Sequence, residues 1–296
     1  IARVVASTPN KGDLAHIETA LTYYSENVGE YPYPHATAVH GELKAGGGME
    51  YPMITICDQM GEEVIIHEVG HNWFYGILAS NERAYPWMDE SINSFYAGKA
   101  MNNGELKEVM NELLMNALAK DELLRNEYQA AALSSEAYTG TNYGVSVYGL
   151  GAKSFHHLEG YLGEELFKQC MTTYFDEWKF KHPLPDDMKN SFEKTSSIDL
   201  DWFFDNLLNE NKKIDYGVKK KNGEFYLVNK GFVDAPMPIA FMQNGKPTIT
   251  WQTAPIGGEM QLVKPIGPIE SILVDPEKIT NDVFPNNDAS KNKIKL

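Results

Sequence analysis

The residues His67-Glu68-Val69-Gly70-His71 (67–71) lie in a segment whose apolar residues recur at the spacing of an amphipathic helix: Ile66, Val69, Trp73 and Ile77. On a helix the two histidines stand one turn apart on the same face, so both imidazoles can reach one metal ion. A second helical pattern, WMDESINSFY (87–96), follows at a distance that lets it pack back antiparallel. It brings a third candidate ligand, the carboxylate of Glu90.

Two imidazoles and one carboxylate form the ligand set of a catalytic zinc site, which keeps its fourth position for water. Zinc lowers the pKa of that water to about 7, and Glu68 is placed to take its proton as general base. A pattern with three fixed positions also arises by chance, and a histidine pair can simply hydrogen-bond within a core. The helical spacing and the third ligand favour one Zn²⁺ per chain, bound by His67, His71 and Glu90.

The run HEVGHNWFYG (67–76), followed by WMDES (87–91), resembles the zinc signature of the gluzincin metallopeptidases and, within them, of the aminopeptidase N family. That family's pattern is HExxH, eighteen residues and then Glu, and eighteen residues separate His71 from Glu90 here. The resemblance implies that these two residues and His67 bind zinc and that Glu68 is the catalytic base.

Two serines near Glu90 bear on the site. Ser91 stands where the family usually has Gly, and because this position flanks the ligand without binding metal, we expect metal binding to be intact. Ligating histidines almost always donate their second N–H to a partner. Ser94, one turn after Glu90, is the candidate for that role.

Residues 46–52, GGGMEYP, resemble the family's G-x-M-E-N segment, an edge strand whose glutamate binds the free amino group of the substrate. Taken alone, Glu50 reads as a surface carboxylate beside a flexible turn. The resemblance makes it the anchor of the substrate α-amine, at the end of an edge to which an extended peptide adds by main-chain hydrogen bonds. Tyr51 replaces the usual Asn, which affects the adjoining subsite. The other substrate-binding positions implied are Gly47, Gly48 and Met49.

Residues 147–151, VYGLG, resemble the family's V-Y-E-K-G segment, whose tyrosine donates a hydrogen bond to the oxyanion of the tetrahedral intermediate. A tyrosine in such a setting is more often a packing residue whose hydroxyl has a partner. The resemblance implies that Tyr148 is the second catalytic residue, with Tyr143 as the reserve choice.

Composition limits the classes of partner. The 296 residues include 26 basic and 41 acidic side chains, for a formal net charge of −15. This balance argues against nucleic acid and anionic membranes, which select basic surfaces. No apolar run is long enough to span a bilayer. No targeting signal is visible, so cytoplasmic and exported locations both stay open.

The sequence pattern changes character near residue 213. Before it lie helical patterns, including one at 105–125, and strand patterns at 36–43 and 53–57; after it come short β-rich runs separated by turn signals. We therefore expect an α+β fold, with a mostly helical catalytic domain that contains a small sheet (1–212). A small all-β, Ig-like sandwich with a poorly ordered tail (213–296) follows. By resemblance the catalytic domain is thermolysin-like.

The function implied is that of a zinc-dependent aminopeptidase acting on peptides with a free N-terminus. Two alternatives stay open: a related metallohydrolase, such as an endopeptidase or epoxide hydrolase, and a catalytically weak or non-enzymatic zinc-binding fragment. The family's N-terminal β domain, which helps to form the amine pocket in relatives, has no counterpart in these residues. We expect the chain to be part of a longer polypeptide whose N-terminal domain packs on the catalytic domain.

Overall fold

The computed structural model describes residues 1–6, 11–44, 46–101, 129–210, 212–282 and 293–295. The helix predicted at 105–125 lies outside these residues. Among the helices that are described, none is both long enough and apolar enough to cross a membrane.

A four-stranded sheet covers one side of the zinc motif. Its strands are β1 (Ala2–Val5), β2 (Ala36–His40), β3 (Gly48–Met49) and β4 (Ile54–Cys57), in the order β1-β2-β4-β3. The first, second and fourth strands are parallel, and β3 pairs antiparallel with β4 at the edge. The glycine-rich segment therefore forms an edge strand, as its resemblance implied.

Three helices meet beneath this sheet: α1 (Lys11–Asn27), α2 (Glu62–His71) and α3 (Glu90–Met101). The contact is close at Gly70, where a Cβ would overlap the side chains of Tyr24 and Asn93. The Tyr24 hydroxyl donates to Asn93 Oδ1 at 2.7 Å, and the Asn93 amide donates to the main-chain oxygen of His67 at 2.8 Å. These bonds fix the start of α3 against the end of α2.

The helix α2 continues as a wider, π-type turn (Asn72–Ile77), and a short 3₁₀ helix (Pro86–Met88) leads into α3. The remaining helical part contains α4 (Gly140–Tyr143), a π-type segment (Gly144–Gly151), α5 (Ala152–Leu162), α6 (Glu164–Trp178), α7 (Pro185–Ser196) and a second π-type segment (Trp202–Asn209), with a 3₁₀ turn at Ser135–Ala137. Fully buried aromatic rings join these elements: Phe95, Phe155, Phe167, Phe192 and Phe203.

The C-terminal part is β structure. It contains β5 (Tyr216–Lys221), β6 (Glu224–Asn229), β7 (Met237–Gln243), β8 (Lys246–Gln252), β9 (Glu259–Gln261), β10 (Ser271–Val274) and β11 (Lys293–Lys295). The strands form two sheets, of order β11-β10-β7-β8 and β5-β6-β9, and all neighbouring strands are antiparallel.

This arrangement confirms the predicted α+β fold, with a small sheet beside α2 and α3 and β sheets after the helical part. The division at residue 212 stays a prediction. Within the tail, Lys293–Lys295 pair with β10, and the poorly ordered tail also stays a prediction. The rest of the tail beyond residue 282 lies outside the described residues.

Candidate active site

The side chains of His67, His71 and Glu90 converge at the junction of α2 and α3. The two Nε2 atoms lie 3.0 Å apart, and Glu90 Oε2 lies 3.1 Å from Nε2 of His67 and 3.3 Å from Nε2 of His71. Zinc with ligands at about 2.0–2.1 Å in tetrahedral geometry separates its ligand atoms by about 3.3 Å. The donor set and its spacing therefore fit a zinc ion.

The three candidate ligands differ in exposure. The His71 side chain is 1% exposed, whereas those of His67 and Glu90 are 17% and 13% exposed. The group is therefore anchored on the buried side and open to solvent on the other. A site with three protein ligands and an open side is typical of catalytic zinc, since structural zinc is closed by four protein ligands.

Charges within this group shift the pKa values of its members. Burial lowers the pKa of His71, but the carboxylates of Asp89 and Glu90 outweigh burial and raise that pKa well above its usual value. Burial alone would raise the pKa of Glu90, but the two imidazoles hold it well below the usual range. Glu90 is therefore a carboxylate, the form that binds a cation.

Asp89 supports His71 from behind. Its Oδ1 lies 2.5 Å from Nδ1 of His71, and both side chains are almost fully buried. This bond directs Nε2 of His71 toward the other candidate ligands. The helical spacing from Glu90 predicted Ser94 for this role; within the described residues that prediction is wrong, since Asp89 makes the contact with His71 and no hydrogen bond joins Ser94 to either imidazole.

Glu68 lies beneath the edge strand. It is 6% exposed, and burial raises the pKa of its carboxyl despite the two neighbouring imidazoles. Its Oε2 is buried and has no hydrogen-bond partner among the described residues. A Cβ at position 48 would overlap the Glu68 carboxyl group, so Gly48 is required for the strand to pass over it. A buried carboxyl with a raised pKa and a free oxygen is suited to accept a proton.

The edge strand β3 carries the candidate substrate-binding residues. Gly48 and Met49 pair with Cys57 and Ile56 of β4, and the main-chain oxygen of Gly47 accepts from Asp58 N at 2.9 Å. These bonds all lie on the inner side of the strand. Its outer side is the edge of the sheet, where an extended peptide can add.

Glu50 follows this strand and belongs to a cluster of carboxyl groups. Burial raises its pKa to about 7. Oxygens of Glu50, Glu82 and Asp89 lie within 4.8 Å of one another. Glu82 was not predicted as a site residue, because nothing in the neighbouring sequence distinguishes it from a surface residue. The cluster gives this side of the site a strong attraction for a positive group.

Tyr148 faces the candidate ligands from the π-type segment Gly144–Gly151. Burial and the neighbouring Glu90 carboxylate raise the pKa of its hydroxyl well above the usual value. Its ring lies 6.0 Å from that of His67, and the Tyr143 ring lies behind it at 5.7 Å. The Tyr148 hydroxyl therefore keeps its proton and can act as a donor.

Comparison with known proteins gives a family match over most of the chain. Residues 14–207 match the model described as "Peptidase family M1 domain". Probable aminopeptidase 1 of Sulfurisphaera tokodaii is 27% identical over 225 residues, which cover 67% of this chain and 28% of that protein. Glutamyl aminopeptidase of Rattus norvegicus is 25% identical over 139 residues, which cover 45% of this chain and 15% of that protein.

A solved structure shares the fold. The crystal structure of Legionella pneumophila aminopeptidase A in complex with aspartic acid superposes with a TM-score of 0.68 at 14% identity, over 92% of this chain and 34% of that one. The chain therefore spans about a third or less of the length of these relatives.

Proposed function

Because this chain belongs to peptidase family M1, we propose that it is a zinc-dependent aminopeptidase that hydrolyses the N-terminal residue from peptides. The observation that carries the proposal is the convergence of His67, His71 and Glu90 within 3.0–3.3 Å of one another, with Glu68 beside them. Zinc held by these three ligands would polarise the scissile carbonyl and lower the pKa of a water molecule.

Glu68 is the proposed general base. Its unpartnered Oε2 takes a proton from the attacking water, and the same carboxyl then donates a proton to the leaving amine. The raised pKa supports both steps, because a carboxyl that titrates nearer to neutrality is a better base and a competent acid.

Tyr148 is the proposed donor to the carbonyl oxygen as negative charge develops on it. A hydroxyl with a high pKa stays protonated, and here it lies beside the ligand Glu90. Such a donor, fixed before the reaction, stabilises the transition state without reorganisation.

Glu50 is the proposed anchor of the substrate α-amine. The main chain of the substrate would lie along the outer side of β3, with its N-terminus at the carboxyl cluster of Glu50 and Glu82. A peptide end that carries a positive charge gains from this cluster, whereas an acetylated end gains nothing and leaves the carboxylates unpaired. This asymmetry favours an aminopeptidase over an endopeptidase.

The proposal extends to a further domain of the same polypeptide that packs on the catalytic part and completes the amine pocket. The short span of this chain relative to its relatives supports it. A longer polypeptide that includes this domain is expected to have a higher kcat/KM than residues 1–296. An unchanged kcat/KM would contradict this part of the proposal.

Replacing the proposed base tests the proposal. Glu68→Gln is expected to keep one zinc per chain and the parent melting temperature while losing about 100- to 10,000-fold in kcat on an aminoacyl-fluorophore. Glu62→Gln, an exposed glutamate on the same helix, is the matched control and should keep full activity. Hydrolysis at the parent rate by Glu68→Gln would refute the assignment.

A further inference from the structure

Ser91, which follows the candidate ligand Glu90, is hydrogen-bonded to Val147, which precedes Tyr148. Ser91 is fully buried, and its hydroxyl donates to the main-chain oxygen of Val147 at 2.7 Å. The bond therefore joins α3, which carries a candidate ligand, to the π-type segment that carries the candidate oxyanion donor. It spans 56 residues of sequence.

The surroundings of this bond are close-packed. A Cβ at position 151 would overlap both Oγ and Cβ of Ser91, so Gly151 is needed to let the segment approach α3. Three residues after Val147, the Asn281 amide donates to the main-chain oxygen of Leu150 at 2.9 Å and to Ser154 Oγ at 2.8 Å. The segment is thus held by Ser91 at Val147, next to Tyr148, and by Asn281 at Leu150.

We propose that Ser91 is a positioning residue that acts through Tyr148: its bond to Val147 sets where the Tyr148 hydroxyl lies relative to the metal ligands. The inference rests on the proposed function, in which Tyr148 donates to the carbonyl oxygen. Without the bond, Asn281 still holds Leu150, while the main chain at Val147 and Tyr148 loses its hydrogen bond to α3 and can shift away from that helix. A displacement of about 1 Å is enough to cost about 100-fold in rate.

A double-mutant cycle on the zinc-loaded full chain tests whether Ser91 acts through Tyr148. Ser91→Ala is expected to lower kcat about 10-fold, with KM and zinc content unchanged. In the Tyr148→Phe background, the same change is expected to alter kcat by less than about 2-fold, because the hydroxyl that Ser91 positions is already absent. Equal losses in both backgrounds, or no loss in either, would overturn the inference.

Ser80→Ala is the matched control for a lost buried hydroxyl. The Ser80 hydroxyl is also buried and donates to a main-chain oxygen, that of Phe74, at 3.1 Å, but not to the Tyr148 segment. It is expected to leave kcat unchanged, and a loss as large as that of Ser91→Ala would count against positioning. Ser91→Gly removes the same hydroxyl and should reproduce the effect of Ser91→Ala. Agreement between the two variants would show that loss of the hydroxyl, and not misfolding of one variant, causes the effect.

Hydrogen exchange provides a measurement that needs no activity. In Ser91→Ala, the amides of residues 144–151 are expected to exchange about 10-fold faster than in the parent, whereas Ser80→Ala should leave them unchanged. Unchanged exchange in Ser91→Ala would overturn the inference, whatever the activity. Faster exchange in zinc-loaded Ser91→Ala, when the parent protein cleaves no peptide, would support the role of the Ser91–Val147 hydrogen bond. It would contradict only the proposed function.

Discussion

Replacing Asp89 should weaken zinc binding without touching a ligand atom. Asp89 is 1% exposed and accepts a hydrogen bond from His71 at 2.5 Å. The variant Asp89→Asn keeps the shape of the side chain and an oxygen acceptor but removes the charge. The free energy lost is the difference between two hydrogen-bond contributions: about 1.5–3 kcal/mol for a bond to a charged group and about 0.5–1.5 kcal/mol for one between neutral groups.

That difference, about 1–1.5 kcal/mol, corresponds to a zinc Kd about 10-fold higher. Asp89→Ala should cost more, because it leaves the His71 N–H buried without a partner; about 100-fold is expected, at the upper end for residues that support metal-ligating histidines. Both changes weaken zinc binding through the orientation and basicity of the His71 imidazole. The number of protein ligands to zinc should therefore stay at three.

Competition with a zinc-binding dye at neutral pH measures these dissociation constants. Asp187→Asn is the control, since Asp187 also accepts a hydrogen bond, from Leu184 N at 2.8 Å, but does so at the start of α7. It should leave the zinc Kd unchanged. A Kd for Asp89→Asn within about 2-fold of the parent value, or equal weakening in the control, would show that the Asp89 charge does not support zinc binding through His71.

Three further changes have defined outcomes. Tyr148→Phe should lower kcat about 100- to 1,000-fold with little change in KM, measured by steady-state hydrolysis; a parent kcat would exclude it as the oxyanion donor. Glu50→Gln should lower kcat/KM on free-amine substrates about 10- to 100-fold, since a charge-assisted bond is lost, and equal kcat/KM would remove it from the amine site. His157 is fully buried, and burial lowers its pKa from 6.5 to about 4. The unfolded chain therefore binds a proton on this histidine that the folded protein does not, and the free energy of unfolding should fall by about 3 kcal/mol from pH 6.5 to 4. Urea unfolding of His157→Gln should show a smaller fall over this range than the parent; identical pH profiles would contradict the assignment.

The candidate metal-binding group was predictable because its sequence pattern is local. The four-residue spacing of His67 and His71 fixes their relation on any helix, and the apolar positions around them define which side is buried. Glu90 required more than local periodicity. It was identified by its distance from His71 and by the resemblance of the segment around it.

The supporting residues were not predictable in the same way. Asp89 reaches His71 because the 3₁₀ turn at Pro86–Met88 sets the angle at which the chain enters α3. Ser91 meets a segment 56 residues away, and a tertiary contact of that kind leaves no periodic signal. Ser94 was chosen for its helical spacing from Glu90, but the partner of His71 is Asp89, which lies just before that helix begins.

The structural roles of the three glycines at 46–48 were partly predictable. Three consecutive glycines indicated a close approach of backbone to some other group. The structure identifies that group as Glu68 for Gly48, whereas Gly46 and Gly47 have positive φ values of 72° and 71° that other residues rarely adopt. The sequence thus predicted the type of constraint, and the partner emerged from the packing of β3 over α2.

Hydrolysis of matched aminoacyl-fluorophores, free and N-acetylated, with zinc content measured on the same sample, tests the proposed aminopeptidase activity most directly. We expect cleavage of the free-amine set alone, loss of activity with a chelator and recovery with zinc. Equal cleavage of the acetylated set would contradict the α-amine anchor and indicate an endopeptidase. One zinc per chain with no cleavage of either set would contradict the activity itself.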